Sequence, residues 1–178
     1  MSNALLPIAL RLEGLRVLVV GGGPLAESKA MSLREAGARV RVVESSRFRP
    51  RDLDDCWLAV SAATSDVNRR VADAARSRRI FVVAVDDPSS STAHGVAVVR
   101  RAGVTLGIST DGRAPALSGL LREALERILP EELSEWTRVA RSLRENWRRE
   151  GVPMAERRPL LLRALNEIYA ERRAGGKP

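Results

Sequence analysis

The segment Gly21-Gly-Gly-Pro-Leu-Ala26 lies between two patterns that limit what the chain can fold into. Before it, Arg16-Val-Leu-Val-Val20 is a continuous apolar run, as expected of a strand covered on both faces. After it, Pro24 to Gly37 carries Leu25, Ala26, Ala30, Leu33 and Ala36 at helical spacing and stops at a glycine. Gly21, Gly23 and Ala26 fit the G-x-G-x-x-A pattern in the strand–turn–helix setting that gives this pattern its meaning. The first glycine permits the tight turn, and the second lets backbone approach a pyrophosphate. The small Ala26 lets the helix pack closely on the strand, with its N-terminal amides facing the anion. A strand-to-helix turn with no ligand is the alternative reading of the same glycines.

The rest of the chain continues the alternation. Arg39 to Val43 predicts a second strand, Trp57 to Ala62 a third and Ile80 to Val85 a fourth. A helix capped by Ser65 or Asp66 carries Val67, Val71, Ala74 and Ala75 between the third and fourth. Val96 to Val99 and Val104 to Ile108 read as two more short strands. After Gly112 the pattern becomes helical: Ala114 to Leu129 with Leu117, Leu120, Leu121, Leu125 and Ile128 on one side, then Glu132 to Glu150, then Ala155 to Arg172. The tail from Arg173 to Pro178 is expected to fray. The predicted fold class is therefore α/β, a Rossmann-type parallel sheet followed by an all-helical dimerisation and C-terminal segment. The expected divisions are 1–112 for a nucleotide-binding domain, 113–150 for a dimerisation segment and 151–178 for a C-terminal helical segment.

Charge and cysteine content narrow the partners. The net charge of +8 is carried almost wholly by arginine, because Lys29 and Lys177 are the only lysines. Arginine suits forked binding of carboxylates and phosphates. A solvated surface is the plainer explanation, and composition does not separate the two. Nucleic acid is disfavoured, since the aromatics do not interleave with arginines as a base-stacking surface requires; helix spacing or strand placement assigns most of them to the core. No apolar run reaches the roughly 20 residues needed to cross a bilayer, so no membrane partner is expected. The opening MSNALLPIALRLEG does not read as a secretion signal, and the single Cys56 fits a reducing compartment, so the expected location is cytoplasmic. One histidine, His94, makes no metal site by itself, and no resident metal is expected.

Residues at strand ends carry the candidate chemistry. Glu44 follows the second strand, where a carboxylate holds ribose hydroxyls and repels a 2′-phosphate, which favours NAD over NADP. Asp86 ends the fourth strand, facing the ligand crevice, where it could accept a proton as a hydride departs. A turn aspartate ahead of Pro88 is the plain alternative, and Asp87 beside it should point away from the crevice. Ser109 and Thr110 also end a strand and could meet an anionic group on a substrate; capping of the following helix explains them equally simply.

Together these stretches resemble the precorrin-2 dehydrogenase/sirohydrochlorin ferrochelatase family, the N-terminal part of siroheme synthase and its stand-alone relatives. The matching residues are Leu6-Pro7-Ile8, the Gly21 loop running into Ala26-Glu-Ser-Lys29, Glu35-Ala-Gly-Ala-Arg39, Asp55-Cys-Trp-Leu-Ala59, Ala62-Ala-Thr64 and Asn68-Arg-Arg-Val71. Ile80-Phe81, Val85-Asp86 with Pro88, Ile108-Ser109 with Gly112, and Ala114-Pro115 with Leu120-Leu-Arg-Glu123 complete the set. The resemblance implies NAD-dependent oxidation of precorrin-2 to sirohydrochlorin, with Fe2+ insertion in many members, and an intertwined homodimer built through the segment after Gly112. It implies an anionic tetrapyrrole substrate, which gives the arginine excess a reason. It places the catalytic aspartate on Asp86 and cofactor contacts on Gly21, Gly23, Pro24, Leu25, Glu44, Ser45, Ser46 and Thr64. A family member that binds NAD or a tetrapyrrole without turnover, as a regulatory or assembly subunit, is the alternative.

Three departures separate this chain from the family pattern. A helix and a strand, some 18 residues, are missing between the second strand and Asp52. Ala93-His-Gly-Val96 stands where a Phe-x-x-Pro stretch is usual. Val83 replaces the usual asparagine before the catalytic aspartate, and Asp111-Gly112 replaces Gly-Gly.

Overall fold

The computed structural model describes residues 5–175; residues 1–4 and 176–178 lie outside the described residues. The described chain forms two compact units, one comprising residues up to 97 with 109–118, the other 98–108 with residues from 119 onward.

The first unit is built on a four-stranded parallel sheet in the order β2-β1-β3-β4. Its elements run β1 (Arg16–Gly21), α1 (Gly23–Glu35), β2 (Arg39–Val43), β3 (Leu58–Ala62), α2 (Ser65–Arg76) and β4 (Phe81–Ala84). The chain passes from β1 through α1 to β2 on one side, then returns to place β3 on the other side of β1. That reversal is the topological switch point at which open α/β sheets bind ligands. The unbroken apolar run of β1 now has its reason. Val17 and Val19 pack with Ala26 and Ala30 of α1, while Leu18 and Val20 pack with Val71 and Ala75 of α2 on the opposite face. All four of these β1 side chains are fully buried.

The sheet ends at β2, where the family resemblance calls for a further helix and strand. Two short 3-10 turns, Ser45–Arg47 and Pro50–Leu53, span the gap instead. They seat Phe48 and Leu53 in the core on the α2 side, so the shortened connection still closes that face. Asp52 is buried there, accepting from the Arg41 Nη2 at 2.8 Å and from the Arg49 backbone N–H at 2.8 Å. The free edge of β4 is satisfied by the chain just beyond it. The Val82 N–H donates to Thr92 Oγ1 at 2.8 Å and the Ala84 N–H to Ser91 Oγ at 3.0 Å.

Several sequence expectations are corrected. The N-cap of α2 is Thr64, not Ser65 or Asp66, and its side chain makes no capping bond. Trp57 and Phe81 are exposed rather than core: Trp57 precedes β3, and Phe81 is the first residue of β4. The last two strands, β5 (Ala97–Arg101) and β6 (Val104–Ile108), do not extend the parallel sheet but pair with each other. Ala102 and Gly103 between them have φ values of 51° and 78°, the two left-handed residues of a tight hairpin turn.

The helical part consists of α3 (Pro115–Ile128), α4 (Leu133–Arg149) and α5 (Met154–Gly175), and most of it belongs to the second unit. Leu133, Trp147 and Ile168 are buried anchors of these helices, and Trp136 meets Tyr169 edge-on with ring centres 6.2 Å apart. Helix α5 continues through Gly175, past the point where fraying is expected from the sequence. No helix among the described residues is long and apolar enough to cross a membrane.

Candidate functional site

The glycine loop is shaped by contact with β3. Gly21 pairs in register with Ala62, and its φ of 150° lies in the region that favours glycine. A Cβ at Gly21 would collide with the Ala62 carbonyl oxygen and stand 3.3 Å from the Ala26 Cβ. Strand, helix and neighbouring strand therefore meet at a point only glycine can occupy. Gly22 and Gly23 face open space, and Gly23 has a φ of 72°. Helix α1 starts there with no side-chain cap on its first turn, leaving its backbone donors for an anion. A cradle that a Cβ would fill, opening on an uncapped helix, fits the pyrophosphate of a dinucleotide.

Beside it, the start of α1 and the carboxyl ends of β3 and β4 border a cavity of about 290 Å3, lined among others by Leu25, Thr64, Asn68, Val85, Asp86 and Asp87. Asp86 has a φ of 55°, a left-handed conformation that aspartate tolerates better than most residues. It is exposed, and no hydrogen bond or ion pair engages its carboxylate among the described residues. Asp87 lines the same cavity rather than pointing away, which corrects the sequence expectation. It accepts from the Ser89 hydroxyl at 2.7 Å, the Ser90 backbone N–H at 3.3 Å and Asn68 Nδ2 at 3.4 Å. The Ser89 bond first, then those from Ser90, hold its pKa below the ordinary carboxylate value. The two aspartates thus divide their work: Asp87 ties down the turn, and Asp86 is left free.

Asn68 is the residue that sequence reasoning missed as part of the site. It is buried on α2 and accepts from the equally buried Ser61 hydroxyl at 2.6 Å while reaching Asp87. A polar amide in line with Val71 and Ala75 on the helix's core side was the available signal. Asn68→Ala should therefore destabilise the fold by about 1–3 kcal/mol, the cost of stranding buried polar groups. The midpoint of urea unfolding checks this. Arg69→Ala, one residue along on the exposed side of α2, is the comparison and should change little.

A second groove, of about 620 Å3, lies at the carboxyl end of β2 and is lined by Glu44, Ser46 and the arginines at 41, 47, 49 and 51. Ser45, in the first 3-10 turn, is half-buried and does not line it. Ser109 and Thr110 line neither space. Ser109 Oγ accepts from the Asp111 N–H at 3.1 Å, and Thr110 Oγ1 accepts from the Ala114 N–H at 3.2 Å while pairing with Ser118 Oγ at 3.0 Å. Their hydroxyls organise the entry to α3. The same segment does approach the loop after Asp86, since a Cβ on Gly112 would stand 3.3 Å from Pro88 and 3.6 Å from His94.

Comparison with known proteins agrees with this geometry. A family model described as "Putative NAD(P)-binding" matches residues 8–97. Siroheme synthases of Salmonella paratyphi B and Salmonella typhimurium are each 38% identical over 173 residues, covering 86% of this chain. The chain spans 38% of the length of those relatives. A solved structure titled SirC, precorrin-2 dehydrogenase superposes with a TM-score of 0.67 at 24% identity, covering 89% of this chain and 88% of that one. At that identity the superposition establishes the shared fold.

Proposed function

This chain belongs to the family described as putative NAD(P)-binding, and we propose that it oxidises precorrin-2 to sirohydrochlorin with NAD as the acceptor. The observation that carries the reading is the free Asp86 carboxylate in the cavity at the switch point, beside the uncapped glycine loop. The printed names of the siroheme synthases and of the precorrin-2 dehydrogenase support the substrate class. When bound, NAD supplies the hydride acceptor. The amides around Gly21 and Gly23 would hold its pyrophosphate, with Pro24 and Leu25 beside them at the start of α1. Thr64, whose hydroxyl makes no capping bond, is free to contact the cofactor at the mouth of the cavity. Asp86 takes the proton released as the substrate loses hydride, so that two electrons and two hydrogens leave together. Ser109 and Thr110, in the segment whose Gly112 approaches Pro88 and His94, are the residues proposed to meet an anionic group of the tetrapyrrole. An anaerobic assay with precorrin-2, with and without NAD, tests the reading through the appearance of sirohydrochlorin absorbance.

The active species is a homodimer in this reading, with the segment 113–150 forming much of the interface. Helix α3 supports it: Leu117, Leu120, Leu121 and Ile128 are exposed along the chain, Leu120 at 65% and Ile128 at 71%. Only Leu125 of the predicted stripe is half-buried. A contiguous apolar face of this kind on a folded chain marks an association surface, and a symmetric partner covers it with the same residues. Light scattering should give twice the monomer mass, and Leu120→Glu with Ile128→Glu should reduce it to the monomer mass. A wild-type chain that stays monomeric at micromolar concentration would contradict the dimer.

A further inference from the structure

The turn that carries Asp86 is tied to β3 on both sides of that residue, and both ties start at Ser61. We propose that Ser61, acting through Asn68, is a positioning residue that holds Asp86 in its left-handed conformation at the cavity. The inference rests on the oxidation reading above, in which Asp86 is the proton acceptor, and concerns what keeps that group in place.

Ser61 is fully buried in β3, and its backbone carbonyl accepts from the Val85 N–H at 2.8 Å. Its hydroxyl donates to Asn68 Oδ1 at 2.6 Å, and Asn68 Nδ2 donates to Asp87 Oδ2 at 3.4 Å. The residues on either side of Asp86 are therefore held from Ser61, one directly and the other through a single amide. The far end of this relay fixes its direction. An ionised carboxylate only accepts, so Asn68 must turn its NH2 group toward Asp87 and its oxygen toward Ser61. The Ser61 hydroxyl then has to donate. Without that hydroxyl the buried amide oxygen has no donor, and nothing sets which way the amide faces.

Asp86 needs such a hold. A left-handed residue other than glycine persists only where its surroundings over-determine it, and the Asp86 carboxylate makes no bond that would do so among the described residues. Within the loop, Asp87 Oδ1 takes the Ser89 hydroxyl and the Ser90 N–H, which shapes the 3-10 turn without tying it to the sheet. Ser91 and Thr92 fasten the later part of the loop to β4. Among the described residues, Asn68 is the contact from outside the loop that reaches the Asp87 side chain. Ser61 itself does not line the cavity, so any effect of its hydroxyl on turnover is transmitted through its neighbours.

Ser61→Ala in the full chain tests the proposal, because it removes the hydroxyl and keeps the backbone bond to Val85. Hydrogen exchange read by mass spectrometry should show residues 85–91 exchanging on the order of tenfold faster, the effect of one lost hydrogen bond, with β1 unchanged. Well below the unfolding midpoint, kcat should fall on the order of tenfold, as expected when a reacting group is misplaced, while NAD binds as tightly as to the wild type. In an Asp87→Asn background the same change should add little, since the relay is already cut at its far end. A purely structural role would lower the unfolding midpoint and leave kcat alone. Unchanged exchange in residues 85–91, an unchanged kcat, or full additivity with Asp87→Asn would each overturn the proposal and leave the oxidation reading standing. A wild-type chain with no turnover would overturn the oxidation reading, and exchange would still decide whether Ser61 holds the turn.

Discussion

Asp86→Asn should abolish turnover while leaving dinucleotide binding in place. Loss of a general base costs on the order of 10²–10⁴ in rate. Asparagine is the informative replacement because it matches aspartate in size and tolerates the left-handed backbone that Asp86 adopts, with a φ of 55°. The turn should therefore keep its shape, and the change isolates basicity. Asp87→Asn serves as the comparison with a different expected signature. Asp87 holds Ser89, Ser90 and Asn68, so its substitution should loosen the turn and lower the unfolding midpoint more than Asp86→Asn does. Measured kcat for the two variants, alongside their unfolding curves, separates proton transfer from positioning. An Asp86→Asn enzyme that turns over like the wild type would remove Asp86 from the reaction.

Gly21→Ala should be the most damaging single methyl in the nucleotide-binding unit. The residue ends β1 with a φ of 150° and lies in register with Ala62 of β3. The added Cβ would strike the Ala62 carbonyl oxygen, and it would also stand 3.1 Å from the carbonyl carbon. Those are backbone atoms of a paired strand, so relief requires β1 and β3 to part at the switch point. A cost of about 2–4 kcal/mol follows from backbone strain combined with overpacking. Loss of dinucleotide binding should accompany it. Gly22→Ala is the control: its φ is −141° and a Cβ there meets nothing within 4 Å, so a cost of about 0.5 kcal/mol or less is expected. Chemical denaturation of both variants measures the difference. Equal midpoints would show that the close approach at Gly21 carries no stability.

The parts of the molecule legible in the sequence are those governed by local rules. The run Arg16 to Val20, the glycines after it and the helical spacing beyond them each obey one periodicity, and β1, α1 and β2 follow. The strand ends place Leu25, Thr64 and Asp86 around one cavity because parallel strands share a carboxyl edge. Features that depend on distant partners were not legible. The spacing of Asn68 with Val71 and Ala75 puts a polar amide on the core side of α2, but that Ser61 and Asp87 are its partners no spacing discloses. Asp87 turns toward the cavity because Ser89 and Ser90 wrap around its carboxylate in a 3-10 turn. The pairing of β5 with β6 hinges on two left-handed residues, one of them Ala102, whose side chain gives no hint of that conformation. The arginine groove arises from a connection too short to bury its own charges, and only the folded turn gathers them.

Hydride transfer from a tetrapyrrole to a nicotinamide, in the cavity beside the Gly21 loop, leaves a countable trace in its two products. The decisive quantity is the stoichiometry of NADH and sirohydrochlorin formed by the wild-type chain from precorrin-2 and NAD under anaerobic conditions. One NADH is expected for each sirohydrochlorin, with neither product appearing when NAD is withheld. A chain that binds NAD and precorrin-2 yet forms no NADH would contradict hydride transfer here, and would make this protein a binding member of its family.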